Sequence, residues 1–262
     1  RYSVVVEANQ AADNYWIRAP MTARTPNPVP TNWATDSNNV NAVLHYAGAA
    51  IAEPTSTPPA LTGTNLDESL LVPLTNPAAP GQAVAGGADK VFNLAFATAT
   101  DTTSHHWLVN GVQYNSPTVP TLLQILSGST TAGDFAPNEN TLIINKGDVV
   151  EINITGPPQH PWHLHGHSFS VVKGATGSVN YVNPPKRDVT PSGNGGITIR
   201  FTADNPGPWI LHCHIDLHLD AGLAVVFAEA PEDVIAGSDS VDPEDSWDDL
   251  CPIYNALPLA DQ

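Results

Sequence analysis

Residues 206–230 read PGPWILHCHIDLHLDAGLAVVFAEA, and this stretch decides the interpretation of the fold. It contains two short apolar runs, residues 208–212 and 223–228, that are rich in β-branched and aromatic side chains. Runs of this length bounded by Gly and Pro are typical of buried β-strands. Where the first run ends, the segment HCHIDLH carries three histidines and a cysteine, which are metal-ligating residue types. The stretch therefore predicts two strands joined by a segment that can bind metal.

Similar short runs recur along the chain and predict an all-β fold. They are separated by turn residues, and the sequence contains 25 Pro and 19 Gly, with charged residues making up 13%. Short strands at such intervals are typical of a β-sandwich or a barrel. No repeat of fixed period is visible, so residues from about 90 to 230 are predicted to form one Greek-key sandwich. The further predicted strands are 2–7, 14–18, 91–97, 106–109, 121–126, 141–144, 148–155, 168–173 and 197–201.

Composition divides the chain into four predicted parts. Residues 53–90 are rich in Pro, Thr, Ala and Gly with little periodicity, which is typical of a linker. Residues 1–52 then read as the end of a sheet whose other strands lie elsewhere, and 91–230 as a complete domain. Residues 231–262 are predicted to be an acidic extension. No Lys or Arg occurs after Arg200, and most of the Asp and Glu beyond that point follow residue 228.

The charge of the chain argues against two classes of partner. Lys and Arg number 9 against 26 Asp and Glu, which gives a formal net charge of -17. Such a chain is repelled by a nucleic-acid backbone and by an anionic membrane surface. No stretch approaches the length of an apolar membrane span. We therefore expect neither nucleic acid nor a membrane as a partner.

Seven of the ten histidines fall in two clusters, HPWHLHGH at 160–167 and HCHIDLH at 212–218. Successive side chains of a strand point to opposite faces. His163 and His165 are therefore expected on one side. His212 and His214 are expected to point together, with Cys213 on the opposite face. One segment can then serve two metal sites.

A thiolate combined with imidazoles favours Cu, Zn or Fe, and two His with one Cys and a weak axial ligand is the blue-copper arrangement. Cys213 and His218 can supply two of these ligands. His160 is the natural third, because it is offset from the His163 and His165 pair and is followed by a proline that restricts the local backbone. Zinc accepts the same ligands, so the spacing alone leaves zinc open as the alternative.

The motifs HPWHLHGHSFSVV and NPGPWILHCHIDLHLDAGLAVVFAEA resemble the third cupredoxin domain of multicopper oxidases, and most closely that of fungal laccases. The resemblance extends to RYSVVVEANQAADNYWIRA near the start, TVPTLLQILSG at 118–128 and WDDLCPIYNAL near the end. It implies a cupredoxin-like Greek-key β-sandwich over 91–230. It also implies that residues 1–52 are the C-terminal part of a second cupredoxin domain.

The resemblance implies copper and a role for each ligand. One type 1 copper would be held by His160, Cys213 and His218. The type 2 copper would be held by His163, and the type 3 pair by His165, His212 and His214. Leu223 would occupy the axial position beside the type 1 copper without binding it. His167 matches a non-ligand position in the family.

The same resemblance implies an activity. A phenol or an arylamine would lose one electron at a time to the type 1 copper, with His218 at the point of entry. Dioxygen would be reduced to water at the trinuclear cluster, and Cys213 flanked by His212 and His214 would join the two sites. A ferroxidase-like oxidase, which can also have Leu at the axial position, remains an alternative. So does a copper-binding or electron-transfer fragment without catalytic activity.

The family's cluster uses four further histidines that this chain does not contain. His45, His105 and His106 remain, and none of them belongs to a His-x-His pair. We therefore expect a companion N-terminal laccase fragment, with Arg1 as the break point between the two. In the family, the cysteine that corresponds to Cys251 is disulfide-linked to the first domain.

The remaining signals concern the cellular compartment. The triplet at Asn153 is an N-glycosylation sequon, which is weak evidence of modification because such triplets occur by chance. Together with an odd cysteine at Cys251 it favours a secreted, extracellular protein. Asp216 lies inside the second histidine cluster, and the sequence does not decide whether it supports a ligand or is only solvated.

Overall fold

The chain forms two compact units, Arg1–Asn65 and Leu66–Gln262, in a computed structural model. The described residues are 4–19, 40–57, 66–100, 105–236, 240, 246 and 250–258. Within them, no helix is long and apolar enough to cross a bilayer.

The first unit contains a two-stranded antiparallel sheet, β1 (Asn14–Ala19) paired with β2 (Val40–His45). The following segment packs beside β1. Asn14 Nδ2 donates to the carbonyl of Ala50 at 2.7 Å, and Trp16 Nε1 donates to that of Pro54 at 3.1 Å. The prediction of a strand over 2–7 is wrong for its described part, because residues 4–7 are exposed and carry no strand.

The second unit is a sandwich of two sheets, which confirms the all-β prediction. One sheet has the strand order β10-β7-β12-β13-β5, and the other has the order β4-β3-β6-β11-β8-β9. The strands are β3 (Lys90–Thr100), β4 (His105–Val109), β5 (Thr141–Ile144), β6 (Val149–Thr155), β7 (Pro161–Leu164), β8 (Phe169–Lys173), β9 (Lys186–Arg187), β10 (Val189–Pro191), β11 (Ile197–Thr202), β12 (Gly207–Cys213) and β13 (Ala224–Glu229).

The main core lies between these sheets and is built by alternation along their strands. On β6, Ile152 and Ile154 are fully buried, and Trp162 on β7 and Phe227 on β13 join the same cluster. Burying each such side chain contributes roughly 1.5–3 kcal/mol. Cys213 belongs to this core as well, with 0% of its surface exposed.

Short helices complete the described part of the second unit: α1 (Thr121–Leu126), α2 (Asp216–Asp220), α3 (Pro231–Ile235) and α4 (Leu250–Asn255). The prediction of a strand over 121–126 is wrong, because TLLQIL forms α1. Leu122, Ile125 and Leu126 share one helix face and pack into a second, smaller cluster with Val234 of α3. A short apolar run does not distinguish a strand from a buried helix.

A buried ion pair anchors a segment that precedes β3. Arg200 on β11 faces Glu151 on β6, and their exposed fractions are 1% and 2%. The guanidinium donates to Glu151 Oε2 from Nε at 2.8 Å and from Nη2 at 2.5 Å. It also donates to the backbone carbonyls of Pro80, Gln82 and Val84. We call residues 79–87 the strap.

The strap corrects part of the predicted linker at 53–90. The division between the two units falls after Asn65, and the strap belongs to the second unit. Ala79 is buried, and its N–H donates to the carbonyl of Tyr181 at 2.9 Å. The predicted acidic extension from 231 is likewise not all tail, since Val234 is fully buried. Composition does not reveal that either segment packs on the sandwich. The strap is held through its backbone carbonyls, and the segment after 231 is held by one buried valine.

Candidate metal centres

Three side chains that are distant in sequence converge at one end of the sandwich. Cys213 Sγ lies 3.5 Å from His160 Nδ1 and 3.6 Å from His218 Nδ1. The two imidazole Nδ1 atoms are 3.2 Å apart. The Sγ and the two Nδ1 atoms therefore face a common point, and we call this set the Cys213 site. It contains the three residues that the sequence assigns to a type 1 copper.

Backbone hydrogen bonds hold the three residues in place. The N–H of His160 donates to Ser192 Oγ at 3.0 Å, which fixes the chain just before β7. Cys213 is the last residue of β12, and its N–H donates to the carbonyl of Leu223 at 3.2 Å. The N–H of Leu223 in turn donates to the carbonyl of His218 at 2.9 Å. The chain therefore leaves β12, forms α2 and returns beside Cys213.

Aromatic rings enclose the Cys213 site. The ring of Trp107 lies 4.6 Å from that of His160 and 4.8 Å from that of His218, measured between centroids. Phe96 lies 5.0 Å from His160 on another side. Leu223 is fully buried in the core cluster that contains Cys213 and offers no donor atom. No sequence motif marks Trp107, because an aromatic residue in a strand is typical of an ordinary core position.

A second set of imidazoles lies on the opposite face of β12, and we call it the histidine cluster. His165 Nε2 and His212 Nε2 are 3.1 Å apart. The His163 ring lies 4.7 Å from that of His165 and 5.4 Å from that of His214. Single nitrogens of His163, His165 and His212 all lie within 4.8 Å of one another. His163 Nδ1–H donates to the carbonyl of Asp188 at 2.6 Å, and such a bond orients a ligating imidazole.

Strand register explains why the two sets are separate. β12 pairs with β7 so that His212 lies opposite His163, and Cys213 lies opposite Trp162. Paired residues share a face, and the next residue points to the other face. The thiol therefore enters the core while His212 and His163 face away from it. This is the alternation that the HCH motif predicts.

Burial shifts the proton affinities of these groups. Desolvation raises the pKa of the Cys213 thiol, and the backbone N–H of Ile215 opposes this shift. Desolvation lowers the pKa of His165 and His212, and the neighbouring imidazoles lower both further. Neutral imidazoles present free lone pairs, and a bound cation compensates a buried thiolate. The donor sets therefore fit a thiophilic metal at the Cys213 site and a nitrogen-bound metal at the histidine cluster.

The histidine cluster is open on one side. His165 and His214 are exposed, and a shallow cavity of about 340 Å³ lies over His163 and His165. Neither His105 nor His106 belongs to the metal-binding sets that the described residues form, and His45 lies in the first unit. The open face agrees with the expectation that further ligands come from elsewhere.

The sequence predicts two modifications, at Cys251 and at Asn153. The side chain of Cys251 lies outside the described residues, so the predicted disulfide remains a prediction. Asn153 lies within β6, where its Nδ2 donates to Asn93 Oδ1 at 3.1 Å and to Glu151 Oε1 at 3.3 Å. A glycan on this nitrogen would leave it one N–H and therefore one of these two bonds. The glycan at Asn153 remains a prediction.

The chain is similar to known multicopper oxidases and laccases. Residues 114–233 match the multicopper oxidase family model. The chain is 48% identical to Laccase-1 of Pleurotus ostreatus over 270 residues, covering 100% of this chain and 48% of that protein. It is 45% identical to Laccase-4 of Trametes villosa, covering 100% of this chain and 49% of that protein. The chain thus spans about half the length of the curated relatives it matches.

Solved structures agree with this comparison. The laccase of Botrytis aclada superposes with a TM-score of 0.69 at 33% identity, covering 96% of this chain and 46% of that one. Fet3p, described as a multicopper oxidase that functions in iron import, superposes with a TM-score of 0.66 at 28% identity, covering 82% of this chain and 44% of that one. These neighbours support the cupredoxin-like assignment of the sandwich.

Proposed function

The chain belongs to the multicopper oxidase family, and we propose that it forms part of a laccase-type oxidase that oxidises phenols or arylamines and reduces dioxygen to water. The observation that carries this proposal is the position of Cys213 between His212 and His214. The thiol enters one donor set, while the two neighbouring imidazoles face the other. Zinc has no redox chemistry, so a zinc site does not require two donor sets that are joined by adjacent residues.

Copper is the cofactor that the family implies, and the two donor sets suit it. His160, Cys213 and His218 would hold the type 1 copper. His163 would hold the type 2 copper, and His165, His212 and His214 would contribute to the type 3 pair. When bound, copper supplies one-electron redox chemistry at the Cys213 site and dioxygen reduction at the histidine cluster.

The chain itself supplies the connection between the sites. From Cys213 Sγ, covalent bonds lead through the backbone to the side chains of His212 and His214. The two donor sets are therefore linked without any gap across solvent or across a packing contact. Because β7 and β13 hold β12 on both sides, the geometry of this connection is fixed.

The Cys213 site also has an outward edge suited to a reducing substrate. His218 lies on α2 and is half-buried, whereas Cys213 is fully buried. A substrate at the surface therefore meets His218 first. Leu223, which is buried beside Cys213, has no donor atom, so a copper held by His160, Cys213 and His218 would lack a thioether ligand, which would favour Cu(I) over Cu(II). A higher reduction potential of this kind suits the oxidation of phenols.

The proposal includes a companion segment. Laccase relatives are about twice as long as this chain, and the exposed rings of His165 and His214 leave the histidine cluster open. An N-terminal laccase part would supply the further ligands and close the cluster. We propose that Cys251 forms a disulfide to that part and that the protein is secreted. Peptide mapping with and without reduction tests the disulfide, because the peptide that contains Cys251 should be joined to a second cysteine-containing peptide until it is reduced.

A ferroxidase is the second candidate. The similarity to Fet3p supports it, and exposed Asp216 and Asp220 lie on the same short helix as His218. Carboxylates at an electron-entry edge suit a ferrous ion. A copper-binding or electron-transfer fragment without catalytic activity remains the non-enzymatic alternative.

One experiment separates these functions. Copper content and oxygen uptake are measured on the purified protein, with a phenol and with ferrous ion as alternative electron donors. A laccase should contain about four copper ions per assembled particle and should take up oxygen faster with the phenol. Faster uptake with ferrous ion would favour the ferroxidase. One copper per chain without oxygen uptake would overturn both. Cys213→Ser should abolish the blue absorption and serves as the control.

A further inference from the structure

The turn that carries His165 passes from one sheet to the other. It runs from the end of β7 at Leu164 to the start of β8 at Phe169, and these strands belong to different sheets. The backbone of His165 is fixed on one side, since its N–H donates to the carbonyl of Ile210 at 3.0 Å. Residues 166–168 then cross between the layers. The position of the His165 ring depends on how this crossing is held.

His167 turns inward from this crossing toward a buried acid. The side chain of His167 is 4% exposed, and its ring packs 4.6 Å from that of Phe201. His167 Nε2 lies 3.0 Å from Glu229 Oε2 at the end of β13, and Glu229 is fully buried. Asp204 Oδ1 is 3.9 Å from the same nitrogen and is exposed to solvent.

The other oxygen of Glu229 leads back to the same turn. Glu229 Oε1 accepts a hydrogen bond from the N–H of Asn205 at 2.7 Å. Asn205 Nδ2 donates to the carbonyl of Gly166 at 3.0 Å, and Trp209 Nε1 donates to the carbonyl of Asn205 at 2.6 Å. Gly166 has a φ of +76°, and a Cβ there would lie 2.3 Å from the Trp209 ring. Glu229 therefore holds the turn through two contacts. One oxygen contacts His167 directly, and the other binds Asn205, which in turn binds Gly166.

We propose that His167, Glu229 and Asn205 are positioning residues that set the orientation of His165 in the histidine cluster. This inference rests on the proposed function, because it concerns how the cluster handles dioxygen. The contact of Asn205 with Gly166 lies one residue from His165, and His165 Nε2 is 3.1 Å from His212 Nε2. A change in the turn therefore alters this spacing directly.

The cost of the arrangement supports a role beyond packing. Among the described residues, His167 Nδ1 is buried without a hydrogen bond, and the 3.0 Å contact between His167 Nε2 and Glu229 Oε2 is itself withdrawn from water. Buried polar atoms without hydrogen bonds are uncommon in native proteins and reduce stability. An apolar pair of similar volume would fill the same space with a smaller desolvation penalty. The contact of His167 with Glu229 ties the end of β13 to the turn that carries His165, which gives this buried acid and imidazole a role that an apolar pair would not have.

The test uses the complete copper-loaded protein and two variants. Glu229→Gln keeps the shape of the side chain but removes its charge. Asn205→Ala removes only the bond to Gly166, at an exposed residue that the core does not require. We expect reoxidation by dioxygen to slow by up to about 10-fold in Glu229→Gln and by less in Asn205→Ala, because direct partners of metal ligands are worth about 10–100-fold and these residues act one step further out. The near-ultraviolet absorption of the type 3 pair should weaken in the same order.

The Cys213 site provides the internal reference. Its blue absorption and its anaerobic reduction by a phenol should be unchanged in both variants, because neither touches His160, Cys213 or His218. Ile199→Val serves as a matched control, since it removes a buried methylene from β11 away from the turn. It should lower thermal stability and leave the type 3 absorption intact.

Two results would overturn the inference. One is type 3 absorption and reoxidation in Glu229→Gln that equal those of the unmodified protein. The other is an equal loss in Ile199→Val, which would mean that lowered stability alone is responsible. A failure of the proposed function appears elsewhere, because the unmodified protein itself would then lack blue absorption or oxygen uptake.

Discussion

Replacing Arg200 by Met should destabilise the second unit strongly. The substitution keeps much of the aliphatic volume but removes every donor to Glu151 Oε2. Glu151 is 2% exposed, so its carboxylate is left buried without its counter-charge. Removing one partner of a buried pair costs about 3–5 kcal/mol. The strap also loses the donor for three of its carbonyls.

The size of this effect can be measured by urea and thermal unfolding followed by circular dichroism. For a domain of this size, each kcal/mol lowers Tm by about 2–4 °C, so the expected decrease is about 6–20 °C. The strap should also become sensitive to limited proteolysis. The matched control is Lys146→Met, because the ion pair of Lys146 with Asp233 is 3.0 Å long but its side chains are 46% and 38% exposed. It should change the unfolding free energy by at most about 1 kcal/mol.

A double variant makes the reasoning refutable. In Arg200→Met with Glu151→Leu, no buried charge remains, so much of the lost stability should return. The explanation fails if Arg200→Met costs no more than Lys146→Met. It also fails if the double variant is no more stable than the single one, since the uncompensated carboxylate would then not be the cause.

Two further predictions concern Leu223 and the glycine that precedes it. Leu223→Met should lower the potential of the type 1 copper, because a thioether stabilises Cu(II) at the axial position; a redox titration that finds an equal or higher potential would contradict this. Gly222→Ala should lower stability by about 1–3 kcal/mol more than Gly177→Ala in urea unfolding. Both glycines have positive φ, but a Cβ at Gly222 would lie 2.4 Å from Gln113 Cγ, whereas none of the described atoms lies within 4 Å of one at Gly177. Equal losses would refute the steric argument.

The sequence predicts the strands well wherever alternation and turn residues coincide. The runs at 141–144, 197–201 and 208–212 all became strands, because buried strands on both sheets select β-branched residues. The run at 121–126 became a helix instead. Its apolar face packs against Ile143 of β5 and Ala228 of β13, on the side of that sheet that faces away from the main core. That information lies in the tertiary packing and not in the run itself.

The candidate site shows the same division. The spacing of HCH predicts two donor sets, because alternation along a strand is a local rule. Trp107 packs on His160 and His218 from a strand that is remote in sequence, and no motif marks it. Glu229 follows the predicted strand over 223–228 and is fully buried, although no motif around it marks it. Such contacts depend on which strands become neighbours in space.

Because Cys213 and His212 point to opposite faces of β12, both donor sets form only when β12 pairs with β7 in the correct register. A slip of one residue against β7 would exchange the two faces of the strand. The thiol would then point into the open imidazole set, and two imidazoles would enter the apolar core. Neither donor set would be complete in that arrangement. Correct strand alignment is therefore a precondition for loading either site, and metal uptake would report on the folding of this strand.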